Sequence, residues 1–152
     1  MRIQLQLPDT FSFQTEIPVR ITDINYGNHL GNDAILSMMH EARVQFLQSL
    51  GYTELDLDGA GLIMSDTAII YKGEGFYGDV LTVKVAAADL NKYGFDLMYL
   101  FTNQHGKEIA HGKTGMLCFN YANRKLMTLP KTAASKLREL VPSAKADGNE
   151  FV

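Results

Sequence analysis

Residues 22–51 read TDINYGNHLGNDAILSMMHEARVQFLQSLG, and five of their side chains could move a proton or hold a reacting group: Asp23, Asn25, His29, Asn32 and Glu41. A histidine takes and gives a proton near neutral pH, so His29 is the candidate base. It could equally serve as a structural residue that ties the loop down. Asp23 could orient His29 or act on water; as an aspartate in a turn it is expected to fix backbone amides. Asn25 carries an amide, which is neither nucleophile nor base but can hold a loop or position a water. Asn32 stands where a helix is expected to begin, and its side chain would serve as the N-cap. The backbone N–H groups of that first turn point out of the helix and would stabilise a developing oxyanion. Glu41 lies far from the centre of the helix's apolar stripe, which points to solvent unless a partner covers that face.

These groups need a loop and a helix to hold them. Ile35, Met39, Ala42, Phe46 and Leu50 recur at spacings of three and four, with Leu36, Met38 and Leu47 widening the stripe, so a long and largely buried helix is expected. Asp33 suits its positive end, and Gly51 is a suitable stop. Before the loop, Phe11, Phe13, Ile17, Val19 and Ile21 alternate with polar residues as a half-buried strand. Four further strand-like stretches follow at 62–72, 80–90, 95–102 and 109–121, the third apolar on nearly both faces as a central strand should be. NKYG and NQHGK between them read as turns. Pro130 would open a short last helix, and Pro142 with the polar tail SAKADGNE would fray. A strand, a long helix and then consecutive strands with short turns imply an antiparallel sheet in an α+β architecture.

Composition narrows the function classes. The chain has 152 residues, 46% of them hydrophobic, which fits one domain over 1–152 with its core at about 11–140. A net charge of -3 argues against a dedicated nucleic-acid binder. The single cysteine, Cys118, excludes an internal disulfide and lies in an apolar run, MLCF, as a small buried hydrophobe would. No histidine spacing suggests a metal site. The N-terminus lacks a signal peptide's apolar core and no apolar run is long enough to span a bilayer, so a cytoplasmic protein with no membrane segment is expected.

The motifs Asp23-Ile-Asn25-Tyr-Gly27-Asn28-His29-Leu-Gly31-Asn32, then Glu41-Ala42-Arg43, then Tyr71, Gly78, Asp79 and Leu81 of YKGEGFYGDVL, and Leu129-Pro130 resemble those of the 4-hydroxybenzoyl-CoA thioesterase-like branch of hotdog-fold acyl-CoA thioesterases. The resemblance spans roughly Phe13 to Leu140. It implies a hotdog fold, a curved antiparallel sheet wrapped round a long central helix. It also implies hydrolysis of acyl-CoA or acyl-carrier-protein thioesters in a homodimer or homotetramer, with coenzyme A entering as part of the substrate and no other cofactor.

The family's second acid of D-x-D is Asn25 here, and Glu41 could replace it. His29 matches the histidine of G-H-V-N-N, and the Asn32 amide matches the group that polarises the thioester carbonyl. Lys72, Lys92 and Arg124, at strand ends or turns, could meet coenzyme A phosphates, as could Lys113 and Lys125. The stretch Asp23 to His29 also resembles the D-x-N-P-x-H of (R)-specific enoyl-CoA hydratases, with one residue more and no proline. Acyl-CoA binding without turnover is a third reading, motivated by the missing acid.

Overall fold

The structure is a computed structural model and describes residues 1–141; the tail from Pro142 lies outside the described residues. Strand β1 (Phe13–Pro18) is followed by a 3-10 turn (Ile21–Asp23) and helix α1 (Asn32–Ser49). Strands β2 (Gly61–Tyr71), β3 (Val80–Asn91), β4 (Gly94–Thr102) and β5 (Glu108–Asn120) come next, then the two-residue β6 (Lys125–Leu126) and helix α2 (Lys131–Leu140). All pairings are antiparallel, in the order β1-β3-β4-β5-β2, with β6 on β5. The strand read as central, β4, sits in the middle.

The α1 stripe packs as the spacing requires: Ile35, Met39, Ala42 and Phe46 are at most 2% exposed, in one core with Val83, Val85, Leu97 and Tyr99 of the sheet. Each such large apolar side chain contributes about 1.5–3 kcal/mol by leaving water. Leu36, expected to widen the stripe, faces outward instead at 39% exposure, and Arg43 takes a core-facing position at 5%. The guanidinium is tolerated there because its Nη1 reaches the Tyr99 hydroxyl at 3.4 Å. The helix stops where Gly51 takes a φ of +83°, an angle that glycine adopts without strain.

Two boundaries differ from expectation. The first strand ends at Pro18, which cannot donate to a ladder, so Ile21 is 68% exposed rather than buried. Pro130 is the cap of α2 rather than its first helical residue.

The antiparallel order gives the sheet two ends. The loops 19–31, 72–79 and 103–107 gather at one, and the turns 91–94 and 120–125 lie at the other. Helix α1 packs on β1 and β3, and the Tyr71 hydroxyl at the end of β2 donates to the Asn32 carbonyl at the start of α1, 3.1 Å away.

Candidate active site

The loop between β1 and α1 is closed by its own polar groups. Asp23 is 8% exposed; its Oδ2 accepts from the Arg20 N–H at 2.8 Å and from Arg20 Nε at 3.4 Å. Its carbonyl accepts from the Gly31 N–H at 2.9 Å. Asn25 Oδ1 accepts from the N–H groups of Gly27, at 2.9 Å, and His29, at 3.3 Å. The Asn25 N–H donates to the His29 carbonyl at 2.8 Å, and Asn28 turns the chain at φ 63°, which asparagine tolerates. The Leu30 N–H donates to the Gly75 carbonyl at 2.8 Å, fastening this loop to segment 72–79.

That closure presents His29. Its side chain is 40% exposed, with Nε2 3.7 Å from Glu74 Oε2 and the ring edge-on to Phe76 at 5.5 Å between centroids. The ring thus rests against an apolar neighbour while part of it stays open to a ligand.

Beside it, α1 turns one residue earlier than the sequence suggested. Gly31, extended at φ -70° and ψ 150°, is the N-cap, and Asn32 is the first helical residue rather than the cap. The reason is local: Gly31 donates its N–H to Asp23 and its carbonyl accepts from the Ala34 N–H, so the chain has already turned. A glycine cap has no side chain to offer the first turn. Among the described residues, the N–H groups of Asn32 and Asp33 meet no acceptor. They lie at the positive end of the helix dipole and suit a developing negative charge. A Cβ on Gly31 would meet Asp33 Oδ1 at 2.6 Å, so the residue also fits its place by size. Burial, and after it the Asp33 charge, raises the Tyr71 phenol above its ordinary pKa, which keeps it a neutral donor to the Asn32 carbonyl.

A small hollow of about 200 Å³ lies against this first turn, lined by Thr22, Asp23, Ile24, Asn25, Asp33, Ala34 and Ser37. The structure therefore brings Asp23 and Asn25 against the first turn of α1, while His29, on the same loop, faces Glu74 and Phe76 and does not line the hollow. Glu41 lies nine residues further, about 13 Å along the axis. There it faces a groove of about 220 Å³ between α1 and β1 and accepts from Gln45 Nε2 at 3.0 Å.

Lys72 follows β2 at the loop end of the sheet. Lys92, with its ammonium 5.3 Å from the Tyr93 ring centroid, and Arg124, at φ 57°, stand at the other end. The other histidines divide: His105 is exposed in its turn, whereas His111 is buried with Nδ1 2.6 Å from Glu108 Oε1. Among the described residues, no group of three or more His, Cys, Asp or Glu side chains could hold a metal ion.

Sequence reasoning passed over Glu74, Phe76 and Tyr71 as site residues. They are distant in sequence from His29 and Asn32, and the pairing of Leu30 with Gly75 and the Tyr71–Asn32 hydrogen bond bring them near.

The model of the thioesterase-like superfamily matches residues 19–137, well over half of the chain. The chain belongs to the thioesterase-like superfamily. No curated protein matches this thioesterase-like chain. Among solved structures it is similar to a 1,4-dihydroxy-2-naphthoyl-CoA thioesterase from Synechocystis, with 20% identity, 84% of this chain and 96% of that one covered, and a TM-score of 0.76. It is also similar to a thioesterase from Thermus thermophilus complexed with coenzyme A and Zn, at 22% identity, 87% and 96% coverage and a TM-score of 0.75. A gentisyl-coenzyme A thioesterase matches at 19% identity, 82% and 99% coverage and a TM-score of 0.74. At these identities the likeness shows the fold, and the α+β hotdog arrangement expected from the sequence is the one found.

Proposed function

We propose that this member of the thioesterase-like superfamily hydrolyses acyl-CoA thioesters at the start of α1. The observation that carries the reading is the pair of open N–H groups at Asn32 and Asp33, at the end of the loop that presents the half-exposed His29, in a chain whose family is thioesterase-like. The thioester carbonyl accepts from those N–H groups. His29, held by the Asn25-braced loop and facing Glu74, takes a proton from water as the water oxygen attacks the acyl carbon. When the C–S bond breaks, the imidazolium returns that proton to the thiolate, giving a carboxylic acid and free coenzyme A. Asn25 contributes by holding His29, since its Oδ1 is engaged by two loop N–H groups. Coenzyme A is part of the substrate, and no separate cofactor enters the scheme.

Hydration is less well supported. The loop holds Asp23 against Arg20, so its carboxylate does not serve as the partner of His29 that a hydratase-like pair would need. Thiol release from crotonyl-CoA, measured against loss of enoyl absorbance, separates the two. Release without loss of the double bond supports hydrolysis; loss of the double bond without release rejects it. Ligand-induced stabilisation with no turnover on any acyl-CoA would leave binding alone.

We further propose a homodimer built by antiparallel pairing of β2 with its copy, as one hotdog domain against another in the cytoplasm. Strand β2 is an edge strand of eleven residues with an unpaired side, the kind of edge that natural proteins cover. Such pairing sets the turn-bearing end of one sheet beside the loop end of the other, so that Arg124 of one copy and Lys72 of the other approach a shared coenzyme A. Sedimentation at assay concentration tests it, and a strictly monomeric species contradicts it.

A further inference from the structure

The segment 72–79, KGEGFYGD, is fastened along its whole length. At its start the N–H groups of Lys72 and Gly73 donate to the Ile109 carbonyl at 2.9 and 3.1 Å. In its middle the Gly75 carbonyl accepts from the Leu30 N–H, and a Cβ on Gly75 would meet Leu30 Cβ and Cδ2 at 3.0 Å, so a glycine allows the close approach. At its end Asp79 Oδ2 accepts from the Phe76 N–H at 2.9 Å, and Asp79 Oδ1 accepts from Gln104 Nε2 at 2.8 Å. The Val19 N–H donates to the Asp79 carbonyl at 2.8 Å, so the segment is bound to loop 19–31 at both Val19 and Leu30. Two side chains of this braced segment reach His29: Glu74, with Oε2 3.7 Å from Nε2, and Phe76, edge-on to the ring. The two ring nitrogens therefore meet different surroundings. Nε2 faces a carboxylate. Nδ1 faces Gly27, where an added Cβ would stand 3.9 Å from it and 3.4 Å from Asn25 Oδ1. Among the described residues, chain neighbours aside, no other atom lies within 4 Å of that point, and Gly27 is exposed.

We propose that Glu74 is a positioning residue that holds the Nε2–H of His29, so that Nδ1, beside Gly27, is the atom that takes the proton from water. The inference rests on the hydrolytic reading above and names the atom through which that reaction runs. An ionised carboxylate accepts hydrogen bonds and donates none, so the neutral ring turns its N–H towards Glu74 and keeps its lone pair on Nδ1. As the water oxygen bonds to the acyl carbon, an O–H bond of the water breaks and an Nδ1–H bond forms. The ring is then positively charged and faces Glu74, and the 3.7 Å contact tightens to a charge-assisted hydrogen bond. When the C–S bond breaks, Nδ1 gives its proton to the sulfur, while Nε2 keeps its own and Glu74 neither gains nor loses one. Phe76 restrains the ring, and the missing side chain at Gly27 leaves room for the water.

The test has two arms, both on the full chain. The first records the ¹⁵N resonances of the His29 ring in its neutral form, assigned by their loss in His29→Ala. A proton on Nε2 is expected, with a resonance that moves in Glu74→Leu. A proton on Nδ1, or a resonance unmoved by Glu74→Leu, overturns the proposal. The second arm measures thiol release from butanoyl-, decanoyl- and benzoyl-CoA. Glu74→Leu should lower kcat about fivefold with KM within about twofold, because the ring is charged only once the proton has moved. Glu74→Gln, which keeps an acceptor and loses the charge, should fall between it and the wild type. Gly27→Val, whose methyl groups cover Nδ1, should lower kcat by at least about tenfold, and Gly27→Ala by less, with Tm close to that of the wild type. An unchanged kcat in Glu74→Leu, or a loss seen in KM alone, overturns the positioning role. Wild-type kcat in Gly27→Val overturns Nδ1 as the acceptor. If the wild type releases no thiol, or His29→Ala keeps full turnover, the hydrolytic reading fails separately, and the ¹⁵N arm alone decides whether Glu74 holds Nε2.

Discussion

The two halves of α1 are built on opposite plans. At its start the backbone holds the open groups: a glycine cap leaves two N–H groups without an acceptor, and the side chains around them, Asp23 and Asn25, are engaged in closing the loop. Eight residues on, the polarity lies in side chains: His40, Arg43 and Glu54 meet there, and the helix backbone is engaged in its own ladder. The first plan tolerates little change in chain geometry and considerable change in side chain. The second is the reverse. A helix with buried apolar residues between these two regions holds them at a fixed separation.

This contrast can be broken from either side. The largest effect is expected from His29→Ala, which should lower thioester hydrolysis by about 10²–10⁴-fold with Tm nearly unchanged, because the ring is half-exposed. Unchanged turnover rejects His29 as the base.

Next comes Asn32→Pro. Proline suits the first position of a helix, and Gly31 already has the extended conformation that precedes proline, so the variant removes one N–H and little else. A fall in kcat of about 10²-fold is expected, with the helical circular dichroism signal retained; wild-type kcat would exclude that amide as an oxyanion donor.

Arg43→Leu should act on stability instead, lowering it by about 2 kcal/mol in urea unfolding as Glu54 and Tyr99 lose their partner. Adding Glu54→Leu should restore part of the loss, since removing both charges leaves neither without compensation. An additive double variant would mean that the pair is not coupled.

The smallest effect concerns Tyr52. Burial, then the Asp58 hydrogen bond and charge, pushes its phenol from about 10 up to about 12. The folded state favours the protonated form, so this contribution to stability is full below about pH 10 and is lost as the pH rises through about 12. Tyr52→Phe should flatten the decline in Tm across that window, and an unaltered slope would assign the decline to other groups.

Much of this was legible along the chain. The periodic apolar stripe of α1 and the alternation in the strands are consequences of side-chain geometry, and the elements fell close to where those periods placed them. The loop from Asp23 to Asn32 was legible as a site because its groups are neighbours in sequence.

Other features were not. Leu36 and Arg43 were misjudged or passed over because a helical wheel knows apolar from polar but not that Tyr99 waits beneath position 43. The identity of the cap depended on whether Gly31 or Asn32 turned first, a choice made by the Asp23 carbonyl. By itself, then, the sequence determined which segments are helix and strand, which family the motifs resemble, and which loop could do chemistry, because these depend on local spacing. Only the tertiary structure decided that Glu74 and Phe76 face His29, that Glu41 lies in a separate groove, and that His40, Glu54 and Arg43 meet. Contacts between residues far apart in the chain are set by how the sheet and helix pack, and no local period encodes them.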